Sequence, residues 1–563
     1  MSRIRFQVFA LAVLALVPTA SIAQQPTINS NGVLNAASYA LTGLPNSGIA
    51  QGSIFFVFGT NLGKAGSIQV SGFPVPSSQG LAGTLVRVTV GSTTVDCLML
   101  YVTATQVAAV LPSSTPVGSG TLRVSFNGQA SSPAPITVVR SSFGTFTLNQ
   151  AGSGPGVIQN YNSATDAPVN TIAVAARPGQ AVILWGTGLG PVSGNEAAGP
   201  LPGELASINV KVWVGVLEAT VTYRGRAECC VGIDQIKFIM PAGVTGCYVP
   251  VAVQIENVIS NYVSMAVSSD GSVCSDPYGI PKADLEAAQQ RGTFRLGAVG
   301  LGRLTFHAAD GDFTADTGSA VFERWDDFGR FAQFQGAPGA ITLPLGMCEV
   351  YSYREGGTQT DPANGRGMSA GTALNVSGPR GNRQIPQYPP ENNPLFPGAY
   401  GAILGDPQNP LAGGYLEPGS YTINNGSGAE VGPFQVSQTL PQTLQWLNES
   451  SITAVNRAQG VQVTWSAADP NGVVQISGYS SNATDPLNIV TGGFSCFERA
   501  SAGSFTVPSA VLLALPATLP APPTGEAALI VGSSTIATPF TASGLDYGAM
   551  SMTILIFKEM VYQ

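Results

Sequence analysis

Apolar residues in this chain come in short runs of β-branched and aromatic side chains. They are closed by Gly, Pro and Asn-Gly signals, the pattern of many strands joined by tight turns. The clearest run is written twice. Ala50 to Gly63, AQGSIFFVFGTNLG, and Arg177 to Gly190, RPGQAVILWGTGLG, share a Gly, a polar residue, an apolar run, then Gly-Thr, a small residue, Leu and Gly. A repeat at this distance predicts two copies of one β-domain. In the first copy the predicted strands are 54–58, 85–90, 97–102, 106–111, 122–126 and 136–139; in the second, 181–185, 210–214, 217–223, 235–240, 249–255 and 263–267. Val88-Thr89-Val90-Gly91 answers Val212-Trp213-Val214-Gly215, and Gln106 through Pro112 answers Gln235 through Pro241. So many short strands with no helical period between them point to an antiparallel sandwich of immunoglobulin type, with a small closed barrel as the alternative. The unbroken runs at 54–58 and 181–185 suit a central strand buried on both faces.

Only Ile280 to Arg291, IPKADLEAAQQR, carries a convincing helix, with Pro281 at a first-turn position and Gly292 as the stop. It is read as a linker. Beyond it the pattern returns to strands, among them 294–296, 303–307, 319–325 and 348–353. A proline-rich stretch, 385–410, reads as a surface loop. Val461-x-Val463-x-Trp465, the turn Asp469-Pro470-Asn471-Gly472 and Val474-x-Ile476 predict a hairpin. A strand with a single helical turn is expected over 505–515, and a last strand over 553–557. The fold class is therefore all-β: tandem immunoglobulin-like β-sandwiches followed by one or two further β-sandwich domains. The expected units are a signal peptide at 1–23, sandwiches at 30–147 and 148–276, a helical linker at 277–292, a β-rich domain at 293–440 and a last sandwich at 441–563.

Composition narrows the compartment and the partners. Met1 to Ala23 carries Arg3 and Arg5, an apolar core and then Ser21-Ile22-Ala23, the order of a secretory signal; its apolar run is short for a membrane span. The expectation is an exported protein, extracellular or at the cell surface, with the periplasm as the alternative. Charged residues are only 10% of the 563, so Ser, Thr, Asn and Gln carry the polar surface. With 24 basic and 32 acidic residues, loss of the two leader arginines leaves 22 minus 32, or −10. An acidic surface without basic clusters argues against nucleic acid as a partner, and no membrane insertion is expected after cleavage.

Several motifs resemble a family once they are set together. Asn31-Gly32-Val33-Leu34-Asn35-Ala36-Ala37-Ser38-Tyr39, the two Gly-Thr-x-Leu-Gly turns, Gly156-Val157-Ile158 leading to Pro178-Gly179, and Asp234-Gln235-Ile236 before Pro241 are similar to the secreted acidobacterial Solibacter-type proteins, an uncharacterised family with paired TIG-like or immunoglobulin-like domains. The resemblance covers about residues 30 to 275. It implies the paired sandwiches and carries no activity.

Seven cysteines in an exported chain point to disulfides rather than metal. Cys229, Cys230, Cys247 and Cys274 fall in the second repeat and allow three pairings. A bond between neighbours closes a strained ring, so Cys229 and Cys230 are expected to reach for Cys247 or Cys274. Cys348 and Cys496 are left for each other, and Cys97 reads as a buried thiol. Zinc is the competing reading, but C-x-x-C spacing is absent.

The single histidine, His307, excludes two- and three-histidine metal sites. It precedes the one Gly-x-Ser-x-Gly match, around Ser369, whereas the α/β-hydrolase order places histidine last. Gly297 to Gly302 reads as a glycine-rich strand and turn rather than a dinucleotide loop. Asp316-Thr317-Gly318 lacks the second Asp-Thr-Gly that an aspartic-protease dyad needs. Asp310, Asp312 and Asp316 could offer oxygens to Ca²⁺, or form a solvated turn. No other cofactor is implied. Asp310, Asp312, Glu323, Asp326 and Asp327 near Trp325 are the densest acidic group, and two carboxylates at a suitable separation are all that a glycosidase requires. The reading is a non-enzymatic surface, adhesion or structural module that binds an extracellular glycan or protein; the alternative is a carbohydrate-active enzyme using the acids near Trp325.

Overall fold

The computed structural model describes residues 24–276, 279–307, 312–333, 344–354, 365–389, 398–406, 409, 413–442, 444–466, 469–482, 489–518 and 526–563. The leader at 1–23 lies outside them. The regular secondary structure of the described chain is almost wholly strand, arranged in several sheets, an all-β, multi-domain fold.

The first sandwich packs a five-stranded sheet on a six-stranded one, around Phe55, Val57, Val86, Val88, Leu122 and Val124. The second repeats that plan. The repeated strand, Ile54–Thr60 in one copy and Ala181–Thr187 in the other, pairs in each case with the strand of the matched Gln motif, Gln106–Val110 or Asp234–Ile239. A difference lies at the crossing between sheets. In the first copy Thr93–Asp96 and Leu98–Val102 are separate strands in opposite sheets, divided at the buried Cys97. In the second, Leu217–Arg226 runs continuously, pairing through Leu217 to Ala219 with Val210–Val214 and from Thr220 onward with Asp234–Ile239, with a bulge between Val221 and Tyr223. One long strand thus stitches both layers together. The outer face of Ile54–Thr60 is covered in turn by the second repeat, since Ile54 and Val110 pack with Val231 and Ile233. That contact is why the apolar run there does not alternate.

The linker helix forms over Lys282–Arg291, with Pro281 at its N-cap and Gly292 in the left-handed conformation at its end. A second short helix, Phe328–Gln333, was not anticipated. It lays Phe328 and Phe331 against Phe294, with ring centroids 6.4 and 4.6 Å apart.

The division expected near residue 440 falls inside a single sheet. In the ten-stranded sheet of the C-terminal unit, Phe294–His307 runs parallel to Tyr547–Glu559, and Met347–Arg354 is paired with Val490–Arg499. The sequence segments 293–440 and 441–563 therefore share one layer. Its central strands are long, Phe294–His307 and Phe313–Trp325 matching residue for residue. The anticipated hairpin is also replaced. Val461–Ser466 pairs with Ser504–Val507 in a three-stranded sheet, whereas Val473–Asn482 belongs to the ten-stranded one. The turn carries the chain from one layer to the other, so Val461, Val463 and Trp465 meet Val474 and Ile476 face to face across the core. Alternation buries an apolar face in either arrangement, and sequence cannot distinguish pairing within a sheet from packing across it. A separate four-stranded sheet, containing Ala373–Gly378 and Gly419–Asn424, covers the other half of the same face through Leu374, Val376, Tyr421 and Ile423.

Candidate binding face on the ten-stranded sheet

Covering one face of the large sheet leaves the other to be accounted for. Where the strands begin, Phe294, Leu296, Ala298, Tyr547 and Ala549 are buried beneath the two helices and the second sandwich. Further along, apart from Met347 of the edge strand, which packs into the core of the second sandwich, the same face belongs to none of the buried clusters. Register fixes what it presents. Phe313, Phe306, Phe557, Ile530, Ser477, Ser495 and Glu349 lie in one row across seven strands. The next row is Glu559, Ala528, Tyr479, Gly493 and Tyr351, and the row after that Ser481, Thr491 and Tyr353. Six inter-strand steps of about 4.8 Å make the first row about 29 Å wide; two two-residue steps from Glu349 to Tyr353 add about 13 Å along the strands, over which the rows narrow from seven strands to five and then three. What is exposed is the rings: beneath them Ile530, Ser477, Ala528, Ser481 and Thr491 are 8%, 5%, 4%, 4% and 1% exposed.

The rings stand in an ordered array. Phe306 stacks between Phe313 and Phe557, each 4.3 Å away and nearly parallel. At the opposite end Tyr351 and Tyr353 are 42% and 41% exposed on the edge strand. Tyr351 lies over Gly493, where an added Cβ would stand 2.6 Å from its ring. Glycine there lets the phenol lie along the sheet, and burial of its inner side pushes the hydroxyl up to about 12. Between the rings the floor is small and hydroxylated. Ser477 and Ser495 are hydrogen-bonded at 3.0 Å, Ser481 and Thr491 at 2.8 Å. No lysine lies on these strand positions; Glu349 and Glu559 flank the tyrosines, and Arg499 stands at one strand end. The face offers aromatic planes, hydroxyls and little positive charge. Tyr351-x-Tyr353 is an alternating pair visible in the sequence, whereas the phenylalanine ladder brings residues 306 and 557 together, which no local pattern reveals.

The residues singled out from sequence are placed elsewhere. Asp310 lies outside the described residues. Asp312 is exposed, its carboxylate 3.8 Å from Nε2 of His307, whose Nδ1 is 2.7 Å from Oε1 of Glu449. Asp316 is fully buried: it takes two hydrogen bonds from Arg303, at 2.7 and 2.9 Å, and the backbone N–H groups of Tyr415 and Leu416. Those donors occupy the carboxylate, which corrects its assignment as a calcium ligand. Among the described residues no group of three His, Cys, Asp or Glu side chains could hold a metal. The acids near Trp325 do not converge either. Glu323 accepts from the Trp325 indole at 3.2 Å, Asp326 from Arg324 at 2.6 Å, and Asp327 caps the short helix through the N–H of Gly329. Trp325 itself is 2% exposed, packed on Phe331.

Disulfides join Cys247 to Cys274 and Cys348 to Cys496. The latter are directly opposite each other in the sheet, on its core face. Cys229 is bonded to its neighbour Cys230, contrary to the expectation that each would reach further. With Cys247 and Cys274 bonded to each other, neither of the expected partners is left for the neighbours. Cys97 is a free, buried thiol whose pKa burial raises.

At the junction of the two sandwiches, Arg226 and Asp234 form an ion pair with side chains 3% and 0% exposed. Asp234 also accepts the N–H groups of Gly188 and Leu189, each at 2.8 Å, so it holds the repeated Gly-Thr-x-Leu-Gly turn. In that turn Thr187 accepts the N–H of Ile54 from the first sandwich at 2.9 Å.

No family model matches the chain, and no curated protein matches it. Solved structures with some likeness include domains 5–6 of the S-layer protein SbsC, at 14% identity over 43% of this chain and 98% of that one, TM-score 0.15. The I9–I11 tandem of titin matches at 7% identity over 74% and 96%, TM-score 0.12. SGBP-B of the Bacteroides ovatus mixed-linkage glucan utilization locus, in complex with a mixed-linkage heptasaccharide, matches at 10% over 84% and 92%, TM-score 0.14. At these scores the likenesses carry no argument about the present chain. No helix among the described residues is long and apolar enough to cross a membrane.

Proposed function

We propose that this is an exported, non-enzymatic surface protein whose C-terminal unit binds a neutral polysaccharide on the open face of its ten-stranded sheet, with the paired sandwiches at residues 30 to 275 as a spacer. Export is supported by the leader-like Met1 to Ala23 and by the disulfides, which persist in oxidising compartments. The observation that carries the binding reading is the array of Tyr351, Tyr353, Tyr479, Phe306, Phe313 and Phe557 over a hydroxylated floor. Sugar rings present apolar C–H faces to aromatic planes. A floor with few cations favours a neutral chain over an anionic one.

The test is electrophoresis of the full chain through gels containing neutral β- and α-glucans, with pelleting on insoluble polysaccharide and assay of released reducing sugar. Retardation by at least one polysaccharide without sugar release is expected. Replacing Tyr351 and Tyr353 together by Ala should weaken it by an order of magnitude or more, at about 1 kcal/mol per ring. Release of sugar, or binding indifferent to both tyrosines, would refute the proposal.

A further inference from the structure

A second concave site lies far from the aromatic face, where the second sandwich meets the two helices. It is a cavity of about 350 Å³, within the size range of small-molecule pockets and at a junction between units, where such pockets concentrate. One wall is the sandwich: Leu148, Pro155, Ile172, Met265 and the Cys247 disulfide. The other is helical, from Gln289 and Gly292 at the end of the linker helix to Phe328 and Ala332 of the short one. A hydrogen bond from the N–H of Phe328 to the carbonyl of Gly292 fixes the helices to each other, so the pocket is preformed.

Its polar groups sort into engaged and unengaged. The Asn170 amide is committed to Asn160 and to both backbone groups of Ala266. Asp327 caps its helix. The Ser264 hydroxyl, on a residue only 2% exposed, has no hydrogen-bond partner among the described residues. A buried hydroxyl left without a partner costs about 1–3 kcal/mol, so an orphan in a native wall calls for an explanation. Gln289, by contrast, is exposed at the rim and open to water. We infer that the cavity binds a compact, uncharged, aromatic or alicyclic molecule bearing one hydroxyl or N–H group, its ring against Phe328, Ile172 and the disulfide and its polar group satisfying Ser264. The described residues of the lining offer no cation for an anionic ligand, and an apolar wall penalises any charge brought into it.

The probes are p-cresol and indole, with toluene as the ring lacking a polar group, titrated into the full chain and followed by saturation-transfer NMR. Saturable binding of p-cresol or indole, several-fold tighter than toluene, is expected. Ala173→Phe, on the half-buried loop at the rim, should reduce it at least tenfold by filling the space. Ser264→Ala should remove the preference over toluene while leaving toluene unchanged, a split that general loosening of the wall would not give. Tyr351→Ala, on the sheet face, should leave all three affinities unaltered. Absence of saturable binding for every probe, equal binding of toluene and p-cresol, or full retention of binding in Ala173→Phe would overturn the inference.

Discussion

Replacing Arg226 by Leu should strip the second sandwich of much of its stability, and the loss should depend on pH. Asp234 is fully buried, so desolvation raises its pKa, and the Arg226 charge is the largest influence pulling it back down. Without the guanidinium, an uncompensated carboxylate remains inside the junction. Removing one partner of a buried pair costs about 3–5 kcal/mol. For the 129 residues of 148–276, an unfolding entropy of about 2.1 cal/mol/K per residue gives roughly 0.27 kcal/mol/K, so 4 kcal/mol corresponds to a fall in Tm of about 15 °C. The sign with pH follows from the raised pKa. Protonation favours the folded state of such a group, so stability attached to it is lost as pH rises through the folded value and regained as pH falls. The Arg226→Leu deficit should therefore be largest near neutrality and shrink toward acid. Arg226→Leu with Asp234→Asn should be less damaged than Arg226→Leu alone at pH 7, since no charge is stranded. Scanning calorimetry of the full chain, with the tryptophan fluorescence of the second sandwich identifying its transition, supplies the numbers. A deficit below about 1 kcal/mol, or one that does not change with pH, would refute the reasoning.

Asp276, nearly buried and accepting the N–H of Cys247, has its pKa raised from 3.8 to about 6 by desolvation. The same sign applies: its contribution favours folding below about pH 4 and is lost as pH rises to about 6, by about 3 kcal/mol. Asp276→Asn should flatten the stability of the second sandwich across that window, as followed by urea unfolding. Thiol titration of the oxidised protein should find no reactive group when native and one, Cys97, when denatured; two or more would contradict the three bridges. Gly493→Val should displace the Tyr351 ring and weaken polysaccharide binding several-fold, with the melting temperature falling by only a few degrees.

Much of the N-terminal half was legible because its strands are short, local and written twice. The pairing of Ala181–Thr187 with Asp234–Ile239 follows from a motif that recurs in the first copy with the same partner. The C-terminal half was less legible because its contacts are distant in sequence. Phe294–His307 finds its parallel partner at Tyr547–Glu559, and nothing local to either strand names the other. For the same reason the split at 440 and the hairpin at 461–476 misread apolar alternation that serves packing between layers. Asp316 looked like a turn acid beside Asp310 and Asp312, but it lies within a long strand whose cross-strand partner is Arg303. The candidate face itself was hidden for a related reason: its rings come from five strands, and only their register assembles them.

The central claim is that the open sheet face, and no other surface, meets the polysaccharide. Oxidative footprinting of the full chain with and without the best-retained polysaccharide addresses it directly, because the aromatic rings are themselves the labelled groups. Tyr161 and Tyr388, exposed at 37% and 42% on other surfaces, serve as internal controls. The account predicts protection at Tyr351, Tyr353 and Phe313, with Tyr161 and Tyr388 labelled as before. Labelling of Tyr351, Tyr353 and Phe313 unchanged by saturating polysaccharide, or protection confined to Tyr161 and Tyr388, would contradict it.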